Sequence, residues 1–106
     1  MAVFGGTELA RGVLAWTTST APAQSPPVHM HGRFNVTLSG SATGVLAGLE
    51  RSFDDGATWV RCTAGGARVV LANPCTEVAD EPEAGVLYRL AVSAIGAGTL
   101  VARISQ

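Results

Sequence analysis

Hydrophobic and polar residues alternate along much of the chain and predict β-strands. In residues 33–38, Phe34, Val36 and Leu38 share one face and polar residues occupy the other. Such a period of two is typical of a strand with one buried face. The alternation recurs later in the chain, at Val86, Tyr88, Leu90 and Val92, and again at Leu100, Ala102 and Ile104. No segment has a convincing 3.6-residue period, so we expect an all-β fold.

Shorter apolar runs and turn residues complete this pattern. Residues 12–16 form a candidate strand, and residues 45–53 form another, in which Arg51 falls on the apolar parity and suggests a bulge or a strand end. Residues 58–63 and 67–72 flank Ala64-Gly65-Gly66, a candidate hairpin loop. About six to eight short strands with glycine-rich turns predict a β-sandwich, jelly-roll or immunoglobulin-like, or a closed barrel.

Two segments lack the alternation. Residues 17–32 are rich in Thr, Ser and Pro, and proline removes a backbone donor, so an extended arm is expected. We therefore divide the chain into an N-terminal arm or linker, residues 1–31, and a β-sandwich domain, residues 32–106. Residues 76–84 contain four of the eight acidic side chains and one proline, which predicts a solvated loop. Its carboxylates have an alternative role, facing arginines of a neighbouring subunit.

The low fraction of charged residues says more about the surface of this protein than the length of the chain does. Only 14% of the 106 residues are charged, against roughly 25% in ordinary soluble domains. A surface so poor in charge is either kept soluble by Ser, Thr and Gly or buried against other subunits, and we favour burial. Seven arginines, no lysine and eight acidic residues offer no basic face to nucleic acid. No apolar run approaches the ~20 residues that cross a bilayer, and no secretory signal is expected.

The residues that could bind a metal or take part in catalysis do not form a predicted site. His29 and His31 give two metal ligands where three or four are needed, and the acidic run lacks the register of a calcium loop. Cys62 and Cys75 flank the candidate hairpin; they are close enough in sequence to pair, but free thiols are expected. Serine and cysteine have no convincing general base. We expect no enzyme activity, no catalytic or metal-binding residue, and no cofactor.

Aromatic residues leave a carbohydrate-binding module open as an alternative. Trp16, Trp59 and Tyr88 are the candidates for a sugar-stacking platform. Packing in the core or at an interface is the simpler interpretation of all three.

Residues 52–59, Ser-Phe-Asp-Asp-Gly-Ala-Thr-Trp, match the Asp-box pattern S-x-D-x-G-x-T-W at every fixed position. Asp54 is placed to accept backbone N–H groups, and Gly56 to adopt a positive φ where the chain reverses. Ser52 and Thr58 stand on either side of the turn for polar pairing, and Trp59 lies over the hairpin. Every member thus has a structural role, so the motif predicts a rigid hairpin rather than a catalytic carboxylate.

The motif belongs to a longer ordered series. Residues 50–59 are followed by Glu81-Pro82-Glu83, by residues 85–90 (GVLYRL) and by residues 98–106 (GTLVARISQ). This series resembles small structural proteins of tailed bacteriophages and gene-transfer particles, in which glycine is common at the position of Asp55. The resemblance covers about residues 33–106. It implies a virion structural protein, a head decoration or spike-base subunit that binds the major capsid protein and like subunits, with a tail or baseplate component as the alternative. Such a protein is made in the host cytoplasm and resides in the virion.

Overall fold

The computed structural model describes residues 7–10 and 12–106, with side chains from residue 12 onward. This part of the chain is all-β and contains no helix, as the alternation predicts. It has ten strands: β1 Thr7–Ala10, β2 Val13–Thr18, β3 Ala23–Gln24, β4 Val28–Gly40, β5 Leu46–Ser52, β6 Val60–Arg61, β7 Thr63–Ala64, β8 Ala67–Arg68, β9 Cys75–Ala94 and β10 Leu100–Ser105.

Antiparallel pairing joins eight of these strands into one sheet. Seven follow the order β1-β2-β10-β4-β9-β5-β6, β3 pairs with β9, and β7 and β8 form a separate hairpin. The 20-residue β9 is the central element because it pairs with three other strands along its length. Its residues 75–81 and 86–88 pair with β4. Its second half, residues 87–94, pairs with β5.

A bulge separates the two halves of β9. Met30 of β4 lies opposite Val86, whereas Gly32 lies opposite Glu81. Residues 82–85 of β9 therefore stand against the single residue His31. Extra residues on one strand bend it and increase its twist, so Glu81 lies at the point where β9 changes direction.

The alternating residues of the sequence form the core. The predicted inward faces are buried on three strands: Phe34, Val36 and Leu38 on β4; Val86, Tyr88, Leu90 and Val92 on β9; Leu100, Ala102 and Ile104 on β10. On β5 the buried positions include Ala47 and Leu49, but Phe53 follows the strand and is exposed. Of the two features suggested at Arg51, a bulge occurs instead between Leu46 and Ala47. The strand end lies one residue after Arg51, at Ser52.

The hairpin expected around Gly65-Gly66 is present but short. Thr63 pairs with Arg68 and Ala64 with Ala67. The loop is the two glycines alone, with φ of 59° and 82°, the sign that a tight hairpin turn requires at both positions.

The arm expected over residues 1–31 is wrong for the part of that segment that the structure describes. β2 pairs with β10 along six residues, and Leu14, Val28 and Met30 are buried. The proposed boundary at residue 31 falls inside β4. Residues 17–32 suggested a linker because of their prolines, but these prolines lie between strands, where no ladder hydrogen bond is lost. Residues 1–6 and 11 lie outside the described residues.

The solvated loop expected over residues 76–84 is also wrong, because the whole segment lies inside β9. Thr76, Glu77 and Val78 pair with β4, and Glu81 is fully buried. Pro82 is accommodated at the bulge, outside the β4 ladder. The polar composition of the segment concealed a strand in which Glu81 is buried and Glu77 is exposed.

Gly98 lies where its loop closely approaches the loop that contains Ser41. Gly98 has φ +84°, and a Cβ there would lie 2.5 Å from the carbonyl oxygen of Ser41. Gly98→Ala is therefore expected to destabilise the protein by about 1–3 kcal/mol, measured by urea unfolding. Gly85→Ala is the matched control, since Gly85 has φ +81° and no atom within 4 Å of a built Cβ. An equal loss in both variants would show that backbone strain alone matters and would contradict the close approach.

Candidate functional site

An open cavity of about 540 Å³ lies between the first half of β9 and the β5–β7 region. Consecutive residues of two strand regions line it, 77–80 on one side and 60–64 on the other. Its floor is the edge of the core, with Val36, Leu49 and Tyr88 contributing. Three of its lining side chains are strongly exposed and apolar: Phe53 at 54%, Val60 at 55% and Val78 at 65%.

Both sides of this cavity are strand edges that pair with one neighbour only within the described part of the chain. Residues 75–81 pair with β4, and residues 60–61 pair with β5. An edge of this kind presents backbone N–H and C=O groups that can pair with another chain. The cavity therefore combines exposed apolar side chains with unpaired backbone.

A buried carboxylate lies beside the cavity. Glu81 has no exposed surface, and its Oε1 accepts hydrogen bonds from the Tyr88 hydroxyl, at 2.6 Å, and from the Arg51 guanidinium. Its Oε2 accepts the backbone N–H of Glu83 at 3.0 Å. This last bond closes the bulge onto the carboxylate. The cluster thus fixes β5 and both halves of β9 to one another.

The electrostatics of this cluster favour an ionised carboxylate. Burial alone would raise the pKa of Glu81, but hydrogen bonds from Tyr88 and Glu83 and the charge of Arg51 outweigh it and hold that pKa below its ordinary value. Burial and the bond donated to Glu81 raise the pKa of Tyr88. Tyr88 is therefore a permanent donor in the cluster.

Two arginines line the cavity in different ways. Arg51 pairs with Glu81, and its guanidinium lies 4.6 Å from the ring centroid of Phe53. Arg61 donates to the carbonyl of Val69 at 3.1 Å and packs its guanidinium against Gly48, where a Cβ would lie 2.1 Å from it. Within the described residues Arg61 has no carboxylate partner. The cavity wall therefore holds one neutralised and one uncompensated guanidinium.

The turn at residues 52–59 has the hydrogen bonds expected from its sequence. Asp54 accepts the Thr58 backbone N–H at 2.9 Å, the Thr58 hydroxyl and the Ser52 hydroxyl at 2.7 Å. The Ser52 hydroxyl in turn accepts the Gly56 N–H at 2.8 Å. Gly56 has φ 92°. Trp59 lies against Arg89, whose guanidinium is 4.3 Å from the ring centroid, and Arg89 pairs with Glu50 at 2.7 Å.

Hydrogen bonds from Thr58 and Ser52 lower the pKa of Asp54 from 3.8 to about 2. A lowered pKa means that the ionised form stabilises the turn, fully above pH 3.8 and decreasingly as the pH falls through about 2. We expect the Thr58 amide resonance in NMR to titrate with a midpoint near the lower value. In Asp54→Asn this titration is expected to disappear, whereas Asp55→Asn should retain it. A Thr58 midpoint near 3.8 in the unsubstituted protein would contradict the bonding described.

The remaining sequence candidates lie apart from the cavity or within the core. His29 and His31 are exposed on the outer face of β4. Tyr88 is buried and Trp16 packs against the core, so the three aromatic residues do not form an exposed row. Cys62 lines the cavity and Cys75 begins β9; both are free thiols, and burial raises the pKa of each.

Residues 7–10 and 12–106 contain no cluster of three or more His, Cys, Asp or Glu side chains arranged to hold a metal. They also contain no helix that is long and apolar enough to cross a membrane.

Comparison with known proteins gives no relative: no family model, no curated protein and no solved structure matches this chain.

The sequence did not reveal the pairing of Arg51 with Glu81. One available signal is the parity of Arg51, which places it on the apolar face of β5, where its charge suggests a bulge or a strand end. The other is the same parity at Glu81, which follows Glu77 and Ala79 on one face of β9. A buried-face arginine and a buried-face glutamate predict an internal ion pair once both segments are taken as strands.

Proposed function

We propose that this protein is a structural component of a virion, a head decoration or spike-base subunit of a tailed phage or phage-like particle, and that it works by binding rather than by catalysis. The ordered motifs from residue 50 to residue 106 support the class of protein. The partners in this proposal are like subunits and the major capsid protein.

One observation carries the binding role: the cavity bordered by Phe53, Val60 and Val78. These side chains are more than half exposed. Because the chain has few charged residues, its surface has little charge to offset this exposed apolar area. Burying apolar surface contributes roughly 25 cal/mol per Å². A neighbouring subunit that covers the cavity would therefore gain stability at the contact.

The finer fold assignment belongs to the same proposal. We propose that β4 and β9, which bend at Gly32 and at residues 82–85, carry the sheet around the core as two packed layers of a β-sandwich. The pairing of β5 with only the second half of β9, beyond the bulge, supports this arrangement. The turn at residues 52–59 would be its Asp-box hairpin.

Within this class, a tail or baseplate location is the second candidate. A carbohydrate-binding module is less well supported, because Tyr88 is buried with its hydroxyl bonded to Glu81 and the Trp59 ring is covered by Arg89. Tyr88 is therefore not free to stack on a sugar, and one face of the Trp59 ring is already occupied. Trp fluorescence titrated with host polysaccharide tests that module directly, and a saturable change would favour it.

The decisive experiment is quantitative mass spectrometry of density-banded, nuclease-treated particles from the source culture. We expect the chain at a fixed molar ratio to the major capsid protein. A ratio near one per capsid subunit identifies a lattice-wide decoration, and a much smaller fixed ratio identifies a vertex or tail component. Finding the chain only in the soluble lysate would overturn the virion role.

A further inference from the structure

Residues 76–80, the β9 edge, form a strand edge that lacks the usual protection against pairing. Among the described residues this edge pairs with β4 on one side only, and the open cavity lies beside it. Natural sheets protect such edges with lysine, proline, a bulge or a very short strand. The β9 edge contains no lysine or proline, and its register with β4 is regular. It is therefore a template for an added strand.

Burial sets the limits of this edge. Glu81, which follows it, is fully buried, and Cys75, which precedes it, is partly buried. Between them every residue is exposed except the half-buried Ala79. The central residue is Val78, which at 65% is the most exposed large hydrophobic residue in the described part of the chain. The β9 edge thus has an apolar centre and the same length on either side of it.

We propose that the β9 edge pairs antiparallel with the β9 edge of a second copy, with a two-fold axis at Val78. Such an axis sets one residue opposite its own copy, and sets the residues before it opposite the residues after it. Val78 then faces Val78 of the second copy. Glu77 faces Ala79, and Asp80 faces Thr76.

This register keeps carboxylates from facing each other. Like charges directly opposite destabilise an antiparallel pair, whereas facing β-branched residues stabilise it. Glu77 lies opposite an alanine, and Asp80 lies opposite a threonine whose hydroxyl can donate to it. The nearest like charges are the two copies of Glu77, which are diagonal neighbours about 7–8 Å apart. That separation is close to the Debye length at physiological ionic strength, so salt screens much of the repulsion.

The neighbouring positions of the axis are excluded. An axis at Glu77 or at Asp80 would set that carboxylate directly opposite its own copy, which is unfavourable. An axis at Ala79 would set Glu77 opposite Glu81, which has no exposed surface. An axis at Thr76 would extend the ladder past the first residue of β9. Charge and strand length therefore select Val78.

Length also favours a second β9 edge over the other edge that borders the cavity. β6 is only two residues long, Val60–Arg61, so pairing of the β9 edge with β6 of another copy would give a ladder of two residues at most. Two β9 edges use five residues each and form about four to six backbone hydrogen bonds. The interface is symmetric and occupies the edge of both copies, so the assembly closes as a dimer.

This dimer assigns a surface to the like-subunit contact of the proposed function, but it is a property of the isolated protein and does not depend on a place in a virion. Its test is size-exclusion chromatography with light scattering, and sedimentation equilibrium for the dissociation constant, in reducing buffer at physiological ionic strength. Four purified chains are compared: the parent, Val78→Glu, Val101→Glu and Thr76→Arg. Val101 is an exposed valine on β10 that does not line the cavity, and is the matched control. Circular dichroism confirms that each chain is folded.

We expect the parent and Val101→Glu to have about twice the monomer mass. Val78→Glu should be monomeric at the same concentration, because it sets two carboxylates opposite each other on the axis. Thr76→Arg should lower the dissociation constant of the dimer about 2- to 30-fold, because each new arginine faces Asp80 of the other copy.

A monomeric parent would overturn the proposal, and so would a Val78→Glu dimer as tight as the parent. A Thr76→Arg dimer no tighter than the parent would contradict the register at Val78 and overturn it as well. None of these results alters the molar ratio expected in purified particles, so the dimer and the virion role are tested separately.

Discussion

Glu81→Ala is expected to lower the free energy of unfolding by about 3 kcal/mol, measured by urea denaturation. The substitution removes the acceptor for the Tyr88 hydroxyl and the ion-pair partner of Arg51. Both donors then stay in or near the core without compensation, and breaking a buried pair costs about 3–5 kcal/mol. The lower end applies because the Arg51 side chain is 31% exposed and water screens its charge in part.

Glu83→Ala is the control for Glu81, because the Glu83 side chain is exposed and only its backbone N–H joins the cluster. Its effect is expected to stay within about 0.5 kcal/mol. A double-mutant cycle with Tyr88→Phe should give a combined loss smaller than the sum of the single losses, since the two residues share one hydrogen bond. Additive losses, or a Glu81→Ala protein as stable as the parent, would contradict the buried cluster.

The Glu81 cluster also predicts the direction of acid sensitivity. Because the pKa of Glu81 is below its ordinary value of 4.5 in the folded protein, its stabilisation is present above that value and is lost as the pH falls further. Glu81→Gln should flatten this part of the stability profile.

Deletion of residues 1–31 is expected to abolish the cooperative fold. The deleted segment contains β1, β2, β3 and the first residues of β4, and its deletion removes Leu14, Val28 and Met30 from the core. Replacing a single buried residue of this size with alanine costs about 2–5 kcal/mol, and the whole stability of a small domain is about 5–15 kcal/mol. Removing three such residues with their strands therefore exceeds what the remaining chain can sustain.

Thermal unfolding followed by circular dichroism measures this result. The truncated chain should show no cooperative transition, whereas His29→Ala with His31→Ala should melt close to the parent because both side chains are exposed. A cooperative transition in the truncated chain would show that residues 32–106 fold alone, as the composition of the proline-rich segment first indicated.

Fold class and most of the core could be predicted from the sequence because strand alternation is a local property. Phe34 and Leu90 were assigned to buried faces from their spacing alone, and the turn at Asp54 from a motif whose members bond within a few residues. The candidate site could not be predicted in this way. Its two sides, around Val60 and Val78, are distant in sequence and meet only through the folding of β9.

Composition misled the prediction where polar or proline-rich residues occur inside the sheet. Pro26 and Pro27 suggested an arm although a strand begins at the next residue, and the acidic residues of β9 suggested a loop although Glu81 is buried. Burial of a carboxylate is favourable only when distant donors reach it, here Arg51, which is 30 residues away. By itself the sequence determined the all-β class, the inward residues and the bonding of the 52–59 turn, since each depends on neighbours a few positions apart. Only the tertiary structure decided the place of Glu81, the inclusion of residues 12–31 and the open cavity, because these depend on which strand edges meet and which stay unpaired.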